Sequence, residues 1–369
     1  MCSHPVWTDI MDDGKLGSVT IRGFRSIKDS TVDLRDINIL IGSNGSGKTN
    51  LISALILLQS ILEGRLQEYV RRSGLQSLMY GGMRTTGRIE MEFSFGDCVY
   101  GFELVPNGEE KLVFRREYHG RGDARSDFDR TPYGYESECG RGVPGLEHGI
   151  GPVLEARKWK LYRFHDTTST ARMRQAGWLS DSASLHHDAS NLAPFLYMLK
   201  QSFPNSYDDI VRVVRMVVPN FEDFILEPDT WNEGIVRLGW KQTGMDEIFG
   251  ADRLSDGTIR FICLATLLLE PPAFQPATIM IEEPEPGLHP YAISVFAELV
   301  HMASFEKQII ISTQSADLLD YFEADDVIVS ESTSDGSIYS HLSADALRGW
   351  LDEYALSTIW RRNIIGGRP

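Results

Sequence analysis

Residues 42–49 read GSNGSGKT, which satisfies the spacing G-x-x-x-x-G-K-[ST] of a phosphate-binding loop. Gly42, Gly45 and Gly47 permit a tight turn whose successive backbone N–H groups face phosphate oxygens. Ser43, Asn44 and Ser46 complete the loop. The helix that follows, read from about Asn50 to Leu62, aims its positive N-terminal end at the same anion. Lys48 has the reach for the β- and γ-phosphates of ATP, and the Thr49 hydroxyl is placed for Mg²⁺. The alternative is an ordinary glycine turn. An apolar strand, DINILI at 36–41, precedes the loop and a helix leaves it, which is the context a phosphate loop requires.

Such a loop needs an acidic partner for the metal and the attacking water. The candidate is ATIMIEE at 277–283. Its apolar run reads as a central strand with two acids at the C-terminal edge, where α/β proteins bind ligands. Glu282 would hold Mg²⁺, a place more often given to Asp, and Glu283 would polarise the water. The bland reading is a solvated strand end, which Pro284 and Pro286 argue against by stopping the strand just past the acids.

The elements that must position these groups can be read from periodicity. GSVTIR (17–22) and TVDL (31–34) look like a hairpin. GRIEMEFSF, CVYGFELV and KLVFRREY within 87–115 look like a meander, with turns at 95–97 and 106–108. Residues 120–151, rich in Gly, Arg, Asp and Pro, read as a long loop or arm, part of it mobile. Two helices are expected over 191–217, broken at 203–205. A helix at 257–270, strand 277–281, helix 290–304, strand 308–312, a helix from Ala316 and a closing strand at 327–330 complete an α/β pattern. No heptad repeat or internal repeat is present.

The 369 residues allow two or three domains or one large one, with ordinary globular composition: 42% hydrophobic and 24% charged. Disorder throughout, a collagen-like fibre and a disulfide-stapled mini-protein are excluded. Cys2, Cys98, Cys139 and Cys263 are scattered, which reads as reduced thiols. No signal peptide is visible at the N-terminus, and the apolar stretches are shorter than the roughly 20 residues that span a bilayer. The expectation is a cytoplasmic protein without a membrane partner. With 36 basic and 52 acidic residues, the formal charge of −16 disfavours indiscriminate coating of nucleic acid.

With these motifs in place, the chain resembles SMC/RecF/OLD-type ATPases, a branch of the ABC class of P-loop proteins. The resemblance is carried by GFRSIKDSTVDLRDINILIGSNGSGKTNLISAL near the N-terminus, LSDGTIRF at 254–261, TIMIEEPEPGLHP at 278–290 and IIISTQSADLLD at 309–320. RRSGLQSLMYGG at 71–82, IIGGRP at 364–369 and the missing coiled coil look like the compact stand-alone ATPases of the AAA family found in bacterial antiviral defence. The resemblance implies an ABC-ATPase head, a mixed β-sheet with flanking helices, built from 1–118 and 246–369, with 119–245 inserted as an arm and helical lobe. It also implies an ATP-dependent homodimer. Ser255, Asp256 and Gly257 of the signature would close on the γ-phosphate of the other copy's ATP, although Ser255 or Asp256 equally suits a plain helix N-cap. Gln314 stands at the switch, usually His, where it can hydrogen-bond a phosphate but carry no charge. Arg25 would lie near the nucleotide or simply on the surface, and Gln76 is a weak candidate for the Q-loop.

The implied function is a motor or switch, possessed of ATPase activity that Gln314 could make slow, governing a separate effector such as a nuclease, on DNA or in defence. The alternatives are the nucleotide-binding subunit of an ABC transporter, against which LSDGT and Gln314 speak, and a non-hydrolysing ATP-dependent binding module. Two basic runs, 65–88 and 157–174, offer DNA contact. The second interleaves Trp159, Tyr162 and Phe164 with charge, which fits a base-stacking surface or a half-buried strand. His165-Asp166 and His186-His187-Asp188 read as polar loop residues, since adjacent residues chelate poorly.

Overall fold

The computed structural model describes residues 14–128, 133–141 and 147–367. Among these, in chain order, Ser18–Phe24 (β1) and Ile27–Asp33 (β2) precede Ile37–Ile41 (β3). Lys48–Leu62 (α1), Leu66–Ser73 (α2) and Leu75–Leu78 (α3) follow. Ile89–Phe95 (β4), Cys98–Pro106 (β5), Leu112–Arg121 (β6) and Ala124–Asp127 (β7) come next. Glu138–Arg141 (α4) and Glu147–Glu155 (α5) lead to Lys160–Tyr162 (β8) and Gly177–Trp178 (β9). Then come Leu192–Ser202 (α6), Pro204–Val217 (α7), Phe221–Ile225 (β10), Ile235–Val236 (β11), Gly239–Gln242 (β12) and Ile248–Gly250 (β13). The C-terminal third holds Asp256–Leu269 (α8), Thr278–Glu282 (β14), Pro290–Ser304 (α9), Gln308–Thr313 (β15) and Ala316–Leu319 (α10). Val327–Thr333 (β16), Gly336–His341 (β17), Ala344–Leu351 (α11) and Leu356–Arg361 (α12) end it.

The runs INILI, TIMIE and QIIIST have little alternation because they are buried on both faces. They are the middle of a six-stranded sheet of order β17-β16-β3-β15-β14-β8, parallel except for the β16–β17 hairpin. The alternating strands behave differently. IEMEFSF of β4 buries every second side chain and belongs to an antiparallel sheet of order β2-β1-β4-β5-β6-β7. Helix α1 lies between the sheets, with Leu51, Ile52, Leu55, Leu58 and Ile61 in one core with Leu40, Met280, Ile310 and Ile328. The other face of the parallel sheet, Ile39, Ile41, Ile279 and Ile311, packs in a second core with α6, α7, α8 and α9.

Three expectations are corrected. The stretch 120–151 is not loop throughout: β6 continues to Arg121 and turns at Gly122 (φ 55°) into β7. The turn was disguised because ARSD is wholly exposed and carries no apolar alternation. The buried Glu117 carboxylate then anchors the following segment, accepting from Tyr100 Oη at 2.7 Å and from the Glu138 N–H at 2.9 Å. The rest of that stretch, 129–132 and 142–146, lies outside the described residues, as do Cys2 and the last two residues of IIGGRP. Second, 157–174 yields as strand only the three-residue β8, which joins the edge of the parallel sheet. Third, the strand at 327–330 does not close the fold. It extends to Thr333 and is followed by β17, α11 and α12.

Glu270, at the C-terminal end of α8, is buried, and neither carboxylate oxygen has a hydrogen-bond partner among the described residues. Burial raises its pKa to about 8, opposed by the more distant Lys160 and Lys307. Between the ordinary carboxylate range and pH 8 the folded chain therefore holds a proton that the unfolded chain has released. Stability falls as pH rises through that window. Glu270→Gln removes the titration, so its melting temperature should match wild type near pH 4.5 and exceed it increasingly up to pH 8.5. Parallel melting curves across that range would show that Glu270 stays ionised in the fold.

Candidate active site at the carboxyl edge of the parallel sheet

Strands β3, β15 and β14 are adjacent and parallel, so their carboxyl ends share one edge. Leu40 stands level with Ser312, and Ser312 with Glu282. The loop after β3 and the acids after β14, more than half the chain apart in sequence, are thereby brought together. Asn44, Gly45, Gly47, Lys48, Thr49, Asn50, Glu282, Glu283, Ser312 and Gln314 line one cavity of about 180 Å³.

The loop has the strained shape that its glycines allow. Gly47 has φ 115°, and a Cβ there would run into the Ser337 side chain. Its carbonyl accepts from Tyr339 Oη at 2.7 Å. The Ser46 carbonyl accepts from Ser330 Oγ at 3.0 Å, and the Ser43 N–H donates to the Gly367 carbonyl at 2.7 Å. The hairpin β16–β17 and the GG pair near the C-terminus thus brace the loop from outside. Lys48 Nζ donates to the carbonyls of Gly42 (2.6 Å) and Ser43 (2.9 Å). Burial lowers its pKa, while the carboxylates of Glu283, Glu282 and Glu285 oppose that shift. A buried ammonium held only by carbonyl oxygens is suited to an incoming anion.

Opposite the lysine, Glu282 is bound by Arg163, whose Nε donates to its Oε2. Glu283 is a non-glycine residue in the left-handed region, at φ 44°, a conformation that costs on the order of 1–3 kcal/mol. Its backbone N–H donates to the Ser312 carbonyl at 2.8 Å, and its Oε1 accepts from Gln314 Nε2. Strain, a strand partner and the switch glutamine together fix this carboxylate over the cavity. Glu285 was missed in the sequence, although it stands between the two prolines. It is half-buried, accepts from Thr313 Oγ1 at 2.7 Å, and desolvation raises its pKa.

The remaining expected residues lie elsewhere. Ser255 caps α8, its Oγ accepting from the Thr258 N–H at 3.1 Å, and Asp256 pairs with Arg174 at 3.0 Å. Gly257 is packed so closely on the Gly287 carbonyl that no side chain fits there. None of the three lines the phosphate-loop cavity of its own chain. Arg25 is not in its lining either; it stacks over Phe24 at 5.6 Å, while its neighbour Ser26 receives the Asn50 amide at 2.5 Å. Gln76 is turned toward Gly82 and Met83, away from the cavity. The donor set fits Mg²⁺ chemically: the Thr49 hydroxyl and the Glu282 carboxylate, both hard oxygen ligands, face one cavity beside a lysine and backbone N–H groups.

Residues 15–77 match a family described as AAA ATPase domain, and residues 150–320 match one described as AAA domain, putative AbiEii toxin, Type IV TA system. The Old nuclease of Escherichia phage P2 is 24% identical over 365 residues, 88% of this chain; the chain spans 60% of that protein's length. A crystal structure of an SMC head bound to the C-terminal winged-helix domain of ScpA superposes with TM-score 0.61 at 15% identity, covering 90% of this chain and 99% of the other. The head derived from Pyrococcus furiosus, with an extended coiled coil and bound to the C-terminal domain of ScpA, gives 0.56 at 13%, covering 92% and 98%. This is the fold of an SMC head. The SMC-like head here carries no long coiled coil among the described residues, and no helix among them is long and apolar enough to cross a membrane.

The braces behind the loop of this ATPase fold should matter to nucleotide binding. Tyr339→Phe removes one hydrogen bond to the Gly47 carbonyl, worth about 1 kcal/mol. The variant should unfold at lower denaturant and bind a fluorescent ATP analogue several-fold more weakly. Unchanged affinity would mean that the loop keeps its shape without β17.

Proposed function

We propose that the chain binds and hydrolyses ATP with Mg²⁺ at the β3–β14–β15 edge, and that ATP joins two copies into a switch acting on a separate effector. The observation that carries the reading is the convergence of Lys48, Thr49, Glu282, Glu283 and Gln314 on one cavity. The loop N–H groups and Lys48 bind the β- and γ-phosphates, Lys48 leaving the carbonyls of Gly42 and Ser43 for phosphate oxygens. Thr49 and Glu282 hold Mg²⁺, which when bound neutralises charge on the β- and γ-phosphates. Glu283 accepts a hydrogen bond from the attacking water and polarises it, and Gln314 orients Glu283.

Ser255 and Gly257 are outside their own chain's cavity, at the positive end of the 14-residue helix α8. That supports a head-to-tail pair in which each copy's α8 meets the other's γ-phosphate. The same reading keeps 1–118 and 246–369 as the ATPase head, with 119–245 as an inserted arm and lobe whose β8 joins the head's parallel sheet. The effector reading leans on the relatives, a nuclease and a toxin-system domain, and this chain is proposed to serve such a system in defence or DNA maintenance. The basic runs would supply DNA contact through charge, but the rings of 157–174 do not support stacking on bases. Trp159, Tyr162 and Phe164 are all in the core, and Arg174 is tied to Leu254 and Asp256.

Lys48→Ala should abolish ATP binding in a direct binding assay, and retained affinity would remove the phosphate-loop assignment. Glu283→Gln should bind ATP normally and lower phosphate release by at least 100-fold. Equal rates in variant and wild type would exclude Glu283 as the base. Ser255→Arg should leave monomeric ATP binding intact and prevent ATP-driven dimerisation in light scattering. A dimer formed by this variant would contradict the signature-in-trans arrangement.

A further inference from the structure

The two basic runs, 65–88 and 157–174, are remote in sequence but meet at one place. A cavity of about 410 Å³ opens between α1, α2 and the β8 edge, within the range of small-molecule sites. Arg65, Arg72, Lys160, Arg163, His186 and His187 line it against a single acid, Glu68. Part of this charge has partners: Arg65 pairs with Glu63, and His186 lies 3.1 Å from Asp181. The buried rings of Tyr69 and Trp159 supply apolar wall. Clustered cations beside apolar wall suit an anion with an organic body, and guanidinium groups favour phosphate.

Arg163 belongs to this cavity and to the ATP site at once. It lines the cavity, and its Nε donates to Glu282, the acid of the proposed Mg²⁺ site; His165 Nε2 stands 4.0 Å from the same carboxylate. The backbone fixes Arg163 in this position, because its N–H donates to the His187 carbonyl at 2.8 Å. While the pair is intact, the guanidinium occupies the charge that Mg²⁺ would need. An anion in the cavity competes with Glu282 for the same side chain.

We propose that this cavity is a regulatory site for a phosphate ester of nucleotide size, either a free sugar phosphate or the 5′-phosphate end of a nucleic-acid strand. Its occupant draws Arg163 off Glu282 and raises the affinity of the phosphate loop for Mg–ATP. The inference rests on the reading of Glu282 as the Mg²⁺ acid. Because coupling is reciprocal, Mg–ATP raises the affinity of the cavity for its ligand by the same factor.

The test measures the affinity of the full chain for a fluorescent ATP analogue with Mg²⁺, alone and with two probes. These are ribose 5-phosphate and a 5′-phosphorylated deoxythymidine decamer, with the 5′-hydroxyl decamer as control. One phosphorylated probe should raise the affinity by roughly fivefold or more, and which one does so identifies the source; the 5′-hydroxyl strand should not. Arg163→Gln should bind Mg–ATP more tightly than wild type without any probe and should not respond to one. Arg72→Gln should bind the probe at least tenfold more weakly, whereas Arg84→Gln, in the same basic run but outside the cavity, should respond like wild type. Probe binding is also measured directly on Lys48→Ala, in which the phosphate loop is disabled. If neither phosphorylated probe binds that variant or wild type, the cavity is not a phosphate site. If a probe binds but Arg163→Gln behaves as wild type in both respects, the coupling is wrong. If wild type fails to bind Mg–ATP at all, the ATPase reading falls instead, while probe binding to Lys48→Ala still decides the cavity.

Discussion

The site depends on strand adjacency. A lysine on the first helix and two glutamates in the C-terminal third can act on one phosphate chain only if their strands are neighbours, parallel, and in register at the same edge. The β3–β15–β14 order meets all three conditions, with Leu40, Ser312 and Glu282 level across the sheet. Much of the remaining architecture serves that requirement. Parallel neighbours need long crossovers covering both faces, so one face receives α1 and the antiparallel sheet and the other receives α6 to α9. The glycine loop, the helix dipole and the acids would be inert in any other strand order.

The cavity is electrostatically balanced by local stand-ins. Lys48 rests on backbone carbonyls, Glu282 on Arg163, and Glu283 on Gln314. Each charged or polar group has a partner that a nucleotide, a metal or a water could replace. Such exchange partners reduce the cost of keeping charges in a partly buried edge. They also tie the site to its surroundings, since Arg163 arises from β8 and Gln314 from the segment after β15. Glu285 adds a third carboxyl near Lys48, and desolvation raises its pKa.

The central strands and the acids were legible in the sequence because double-sided burial leaves an unmistakable apolar run, and because glycine spacing and Pro284 mark where the chain must turn. The β17 brace, the Gly367 contact and Glu285 were not. Their contribution is a hydrogen bond made across more than 280 residues, or a burial state, and neither has a local signature. The aromatic interleaving at 157–174 misled for a related reason. Alternation shows that one face is covered but not what covers it; here Phe95 packs on Trp159 and the core takes the rings. The net charge was similarly silent about the two basic runs, because a sum contains no positions.

The contact between Gly257 and Gly287 has a mechanical consequence. With no side chain between them, the start of α8 and the turn after Glu285 are in backbone contact. A push on one is a push on the other, with no soft side chain to absorb it. Only three residues separate Gly287 from the strained Glu283. In the proposed ATP-joined pair, a copy whose α8 is pressed by its neighbour would therefore transmit that load to its own carboxylates. The pair of glycines would act there as a stiff linkage, able to set the two proposed sites to the same clock.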